Sequence, residues 1–284
     1  TAQVPIPTPT VAPTPVPAPA GIPEGTVKDR VNILLLGIDK RPGERGSWRT
    51  DALILVTIAP TNKTVGMLSI PRDLWVTIPG YGEDRLNTAY SKGESKGYPG
   101  GGAALVKETV RYNLGVPAHY YVYLDFEGFR EFIDAIGGIE VNVQREIRDD
   151  EYPDDYYGYD PLYIPAGPQH MNGDMALKYT RTRHGSGDFD RSRRQREVLL
   201  AVRDKVLRLD LLPRVPELMT TLADNIQTDL QLHQILALAQ LALEIDQNNI
   251  KTAAIDGSMT TARRTETGAS VLLPRYDKIR PLIE

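Results

Sequence analysis

The chain has 284 residues, a formal charge of −4 and no cysteine, which excludes disulfides and thiolate metal sites. Its mild acidic balance also argues against general nucleic-acid binding, which needs a broad basic face. A hydrophobic content of 41% and a charged content of 25% are those of a globular protein, long enough for one large domain or two ordinary ones.

Residues 1 to 23 hold eight of the 22 prolines and no charge, so an extended, polyproline-like linker is expected through about residue 27, with a folded domain over 28–284. The chain opens on Thr1, without an initiator Met, and is read as a fragment of a longer protein. No apolar run approaches the ~20 residues of a membrane-spanning helix. Val31 to Leu36 is a short apolar run stopped by Gly37, as a buried strand would be, and Ile38 to Gly43 is the loop at its end. Arg49-Thr50-Asp51 leads into a second run, Ala52 to Ala59. After turn residues 60 to 63, Thr64 to Ile70 reads as the returning strand of a hairpin and ends in Pro71-Arg72-Asp73. If the first two strands are antiparallel neighbours, Asp39 and Asp51 lie at one sheet edge, where two carboxylates can share a hard cation such as Mg²⁺. Either acid alone can equally cap a turn or pair with an arginine.

Gly97 to Gly102 reads as a flexible connection into a helix over 103–112, because its glycines lack the spacing of a phosphate-binding loop. His119 to Leu124 as strand, Phe126 to Ile136 as helix, Gly137-Gly138 as stop and Ile139 to Val143 as strand make a β-α-β unit, hence a layered α/β domain. Glu146 to Asp160 is acidic and tyrosine-rich and is read as an exposed loop, with a sugar-binding wall as the sharper alternative. Asn172-Gly173 starts a short helix over 174–178 that delivers Tyr179 to Arg196, where six arginines face two acids. Guanidinium forks at that density suit a phosphate or pyrophosphate; the alternative is a solvated basic face, the reading kept for Arg193 and Arg196. Val198, Val202, Val206 and Leu209 mark an amphipathic helix, and Leu211 to Ile226 and Leu230 to Ile245 read as further helices. The last is apolar on most faces, which predicts burial in the core or a place in the wall of a tunnel for a long hydrocarbon.

Six motifs in one order carry a resemblance: Asn32 to Asp39, Arg49 to Asp51, Ser69 to Asp73, Arg85 to Tyr90, Asp134 to Ile139, and Arg181 to Arg183 with Gly187 to Gln195. On these the chain, from about Val31 to Leu209, resembles the LytR-CpsA-Psr family of cell-wall glycopolymer transferases. The resemblance implies a three-layer α-β-α fold with a central mixed β-sheet, flanking helices and an apolar lipid pocket between sheet and helices. It also implies an extracytoplasmic, membrane-anchored, Mg²⁺-dependent phosphotransferase. Such an enzyme moves a glycopolymer from a polyprenyl-pyrophosphate carrier onto peptidoglycan and forms a phosphodiester. Asp39 and Asp51 match the family's Mg²⁺-linked acids. Arg49, Arg72, Arg181, Arg183, Arg191 and Gln195 match its pyrophosphate-site residues, Arg85 stands where the family has a basic residue, and Asp188 matches a further site acid. Asp39, Asp51, Arg72 and Asp188 are thus the catalytic candidates, with Asp188 favoured as general base. Two departures stand out: the family's N-terminal membrane helix is absent from this chain, and Asp190 replaces a residue that is often small. The competing readings are a lipid-pyrophosphate hydrolase and a non-catalytic binder of polyprenyl phosphates or wall glycans. Nucleic acid is not an expected partner.

Overall fold

The structure, a computed structural model, describes residues 30–38, 48–153, 158–182, 187–208, 215–223 and 225–283. The expected linker over 1–27 therefore lies outside the described residues, apart from any structural test. The folded chain opens with β1 (Val31–Ile38), β2 (Thr50–Ala59) and β3 (Thr64–Ser69), followed by a hairpin, β4 (Trp75–Ile78) and β5 (Gly82–Arg85). Helices α1 (Thr88–Ser95) and α2 (Gly101–Leu114) precede β6 (Tyr120–Asp125), α3 (Phe126–Ala135) and β7 (Ile139–Val143). Three short strands, β8 (Ile147–Asp149), β9 (Leu162–Ile164) and β10 (Gly167–Met171), lead into α4 (Gly173–Arg181) and α5 (Asp188–Arg208). The rest comprises α6 (Val215–Thr221), β11 (Ile226–Thr228), α7 (Leu232–Glu244), β12 (Ile250–Ala254), β13 (Thr260–Arg264), β14 (Ser270–Pro274) and α8 (Tyr276–Ile283).

Six strands form the central sheet in the order β11-β6-β1-β2-β3-β12. It is mixed: β1 runs antiparallel to β2 and parallel to β6, and β3 runs antiparallel to β2 and parallel to β12. Strand alternation assigns its two faces. Leu34, Leu36, Ile38, Leu53 and Leu55 pack into one core with Leu105, Val106 and Val110 of α2. Leu35, Ile54, Val122 and Leu124 look the other way, into a cavity roofed by α3, α5 and α7. The result is the expected α-β-α layering, with a second core of Ile133, Val141, Tyr179 and Val198 joining α3, β7, α4 and α5 beside it. Among the described residues no helix is long and apolar enough to cross a membrane.

Three sequence expectations are corrected. The Gly97 to Gly102 segment is a tight crossing rather than a flexible joint: a Cβ on Gly93 of α1 would sit 2.6 Å from the Gly102 Cα, and Gly102 N donates to Glu94 Oε1 at 2.6 Å. The helix expected over 211–226 spans Val215–Thr221 among the described residues, and Ile226 instead opens β11, which pairs with β6 and closes the sheet edge. Of the two readings of helix α7, burial in the core is the one corrected: the helix has no buried residue, and Ile235, Leu238 and Ala239 stand in the cavity wall.

Candidate active site

The site grows from one edge of the sheet. β1, β3, β6 and β12 all end there, and β2 begins there. At this edge the β1–β2 ladder slips: Gly37 faces Ala52 but Ile38 faces Thr50, so Asp51 is the extra residue of a β-bulge. A bulge turns its extra side chain away from the regular alternation, and Asp51 lines the cavity's polar end. Gly37 gives close approach beside it, since a Cβ there would lie 3.1 Å from the Ala52 Cβ.

Arg72 follows β3, with Nη1 2.6 Å from Asp51 Oδ1 and Nε 3.5 Å from Asp73 Oδ2. Burial works against its charge, but the carboxylates of Asp51, Asp73 and Asp188 hold the guanidinium above its ordinary value. Arg191, in the first turns of α5, is 4% exposed; its Nη2 donates to Asp188 Oδ1 at 2.7 Å and to the Asp51 carbonyl at 3.3 Å. That contact ties the arginine helix to the bulge. Gln195, four residues further along α5, also lines the cavity.

Arg181 ends α4, a helix set by its N-cap, where Asn172 Oδ1 accepts from Met175 N at 2.9 Å. Its guanidinium lies 4.2 Å above the Phe126 ring and donates through Nη1 to the Tyr152 hydroxyl at 3.3 Å. Burial pushes the Tyr152 phenol above its usual value, partly offset by Arg181, so it stays protonated at neutral pH. Next along the chain, the Thr182 hydroxyl donates to the buried Asp149 carboxylate, and Arg194 donates to the Thr182 carbonyl. The turn out of α4 is thus pinned from two sides.

Asp51, Arg72, Arg181, Arg191 and Gln195 come together around one end of a cavity of about 1120 Å³. Beyond them its walls are apolar, with Leu35, Ile54, Phe129, Phe132, Val202 and Leu238 among them. Arg85 and Asp188 do not line the cavity; Arg85 joins the cluster through Asp73, with Nη1 3.5 Å from Asp73 Oδ1, and Asp188 through Arg191. Arg49 is exposed and does not line the cavity. Asp39 and Arg183 lie outside the described residues. Asp190 pairs with Arg193, which is also held by Glu197 at 2.5 Å, so Arg193 is a surface residue as expected. Arg196 was expected on a solvated face too, yet its Nη1 donates to Ser69 Oγ at 2.7 Å and staples α5 to β3.

Sequence reasoning missed Asp149, Glu151, Tyr152 and Phe126. The stretch from Glu146 was expected as an exposed loop, but Asp149 and Tyr152 are buried, 4% and 3% exposed, and line the cavity. The one local signal is the alternation of Ile147 and Asp149 around exposed Arg148, which marks β8.

The chain is thus a layered α/β domain whose sheet edge gathers arginines at the polar end of an apolar cavity. The chain belongs to the LytR_cpsA_psr family, whose sequence profile matches residues 12–281. It is 36% identical over 232 residues to the polyisoprenyl-teichoic acid–peptidoglycan teichoic acid transferase TagU of Oceanobacillus iheyensis, an alignment covering 81% of this chain and 68% of that one. With the corresponding transferase TagV of Bacillus subtilis it shares 34% identity over 236 residues, covering 81% of this chain and 58% of the relative. The chain therefore spans roughly two thirds or less of these relatives' length. The crystal structure of B. subtilis TagV superposes with a TM-score of 0.72 at 32% identity, over 90% of this chain and 96% of that one. A structure of TagT bound to LIIa-WTA superposes with a TM-score of 0.70 at 28% identity, over 90% and 88% of the two chains.

Proposed function

We propose that the protein is a phosphotransferase of the cell envelope that moves a glycopolymer from a polyprenyl-pyrophosphate carrier onto peptidoglycan. The observation that carries this reading is the junction of Arg72, Arg181, Arg191, Gln195 and Asp51 with the apolar cavity, a head-and-tail match to a lipid pyrophosphate. The related transferases named for polyisoprenyl-linked teichoic acid and peptidoglycan support it. Burying the prenyl chain supplies about 0.8 kcal/mol for each CH₂-sized group.

In the reaction, an acceptor hydroxyl attacks the phosphorus that bears the sugar. A new P–O bond forms, the P–O–P bridge breaks, and polyprenyl phosphate leaves with the bridging electrons. Negative charge spreads over the non-bridging and leaving oxygens, where guanidinium donors fixed before the reaction stabilise it without reorganisation. Arg72 and Arg191 serve from the sheet edge and α5, and Arg181 from α4. Asp188 accepts the hydroxyl proton: binding of the pyrophosphate draws Arg191 towards phosphate oxygens and frees the carboxylate it pairs with.

Mg²⁺ belongs to the same reading. The donor chemistry fits, since Asp51 offers a carboxylate at the polar end of the cavity and Asp39 is the next residue after Ile38. Among the described residues no group of three His, Cys, Asp or Glu could hold an ion by itself, so Asp51 and Asp39 would hold it together with substrate phosphates and water. Bound there, the ion would neutralise charge on the phosphates.

The test is incubation of a defined lipid-linked glycopolymer with and without wall glycan. A phosphodiester-linked product that disappears in Arg72→Ala and Arg191→Ala supports transfer. Phosphate products alone would replace it with hydrolysis, and metal-independent binding without turnover would leave a carrier-binding protein.

A further inference from the structure

A transferase of this kind must hold an acceptor as well as the donor assigned above to the apolar cavity. A second cleft, of about 520 Å³, lies on the β4–β5 hairpin and is lined by Trp75, Glu83, Tyr112, Asn113 and Tyr276 among others. Its link to the reaction site follows from strand geometry. Leu74, Val76 and Ile78 are buried beneath the hairpin, so Trp75 and Thr77 face outward. Trp75 stands directly opposite Arg85, and Thr77 opposite Glu83; such cross-strand partners share a face. One outward row therefore holds Arg85, Trp75 and Glu83, and Arg85 connects it to Arg72 through their shared partner Asp73. Arg85 and Glu83 are two residues apart, roughly 7 Å of strand, about the length of one sugar ring.

The chemistry of the cleft is that of carbohydrate recognition. Trp75, Tyr112 and Tyr276 line it, aromatic rings of the kind that stack on the C–H face of a pyranose, and the Trp75 indole N–H makes a long 3.4 Å contact to Glu83 Oε2. Glu83 is exposed and accepts hydroxyl or amide protons. Asn113 sets the floor: its Oδ1 accepts from Thr77 N at 3.1 Å and from the Tyr276 hydroxyl at 3.3 Å, and its Nδ2 donates to the Thr77 carbonyl at 2.7 Å. That leaves the Tyr276 oxygen turned as an acceptor. Glu83 is the one charged residue among the described lining, so the cleft disfavours an anionic polymer and suits an uncharged sugar.

We propose that this cleft binds an uncharged glycan strand and presents its hydroxyl to the phosphate at Arg72 and Arg85, making Trp75 and Glu83 acceptor-specificity residues. The assignment of the strand as acceptor rests on the transfer reading above; the binding of sugar does not. The test titrates chitotetraose, an uncharged N-acetylglucosamine oligomer, into the full chain carrying Trp48→Phe, so that emission reports Trp75 alone. Saturable binding with a Trp75 emission shift is expected, along with a loss of affinity of roughly tenfold or more, read by calorimetry, in Trp75→Ala and in Glu83→Gln. Geranylgeranyl pyrophosphate binding, measured in parallel, is expected to survive both substitutions and to weaken in Arg72→Ala. Absence of saturable sugar binding, or an affinity unchanged from the parent chain in both cleft variants, overturns the proposal. Indifference of geranylgeranyl pyrophosphate to Arg72→Ala would instead strike the donor-site reading and leave the cleft standing.

Discussion

Replacing Arg72 with alanine separates what this side chain does for the fold from what it does for the reaction. The guanidinium joins Asp51 at 2.6 Å and Asp73 at 3.5 Å while only 17% of its side chain is exposed. Its removal leaves Asp51, Asp73 and Asp188 as neighbouring carboxylates with one fewer counter-charge. Both partner acids are 27% exposed, so water screens part of that cost. The penalty falls between an exposed pair and a buried one, about 1–2 kcal/mol. In a domain of this size that lowers Tm by roughly 3–6 °C. The effect on the reaction is larger, since losing one preorganised donor to a developing phosphoryl charge costs about 3–4 kcal/mol, a factor of 10²–10³ in kcat. Arg72→Lys should recover the stability but only part of the rate, because an ammonium cannot reproduce the bidentate fork. Initial rates on a lipid-linked donor, measured beside calorimetric Tm values, check both halves. Near-normal turnover in Arg72→Ala would refute the assignment of this residue to the phosphoryl site.

At Tyr152, phenylalanine keeps the ring beside Arg181 and loses only the 3.3 Å hydrogen bond, whereas alanine loses both. The account expects donor affinity to fall about 3-fold in Tyr152→Phe and at least about 10-fold in Tyr152→Ala, measured by calorimetric titration. Stability should depend on His119, whose Nδ1 accepts from Asn32 N at 2.9 Å and whose pKa is lowered by burial and by Lys107. A ring that resists protonation when folded contributes stability in full above its unfolded value near 6.5, and loses it as pH falls below that. Urea unfolding at pH 8 and pH 5 should show the decline, and His119→Gln should flatten it. Gly173→Ala tests the α3–α4 contact that aims Arg181: the new Cβ would lie 2.6 Å from the Arg130 Cα, and thermal unfolding should report a loss of about 1–3 kcal/mol.

Much of this site was legible because its residues sit where chain patterns change. Asp51, Arg72 and Gln195 either end or begin an apolar strand or lie in a dense arginine run, and the antiparallel pairing of β2 with β3 placed the first two at one edge. The bulge that turns Asp51 inward was not legible, since it depends on register rather than composition. Asp149 and Tyr152 were hidden by acidic neighbours; what buries them is Thr182 and Arg181, about 30 residues away. Helix α7 misled for a different reason. A helix apolar on most faces reads as packed inside protein, but Leu238 and Ile235 look into the cavity, and under the proposed function their partner is a prenyl chain rather than a side chain.

The central claim is that one ligand spans the arginine cluster and the apolar cavity. A crystal structure with a polyprenyl pyrophosphate tests it most directly. The account predicts pyrophosphate oxygens on Arg72, Arg181 and Arg191 and the prenyl chain running between Phe132, Val202 and Leu238. A pyrophosphate bound elsewhere, or a chain lying outside that cavity, would contradict it.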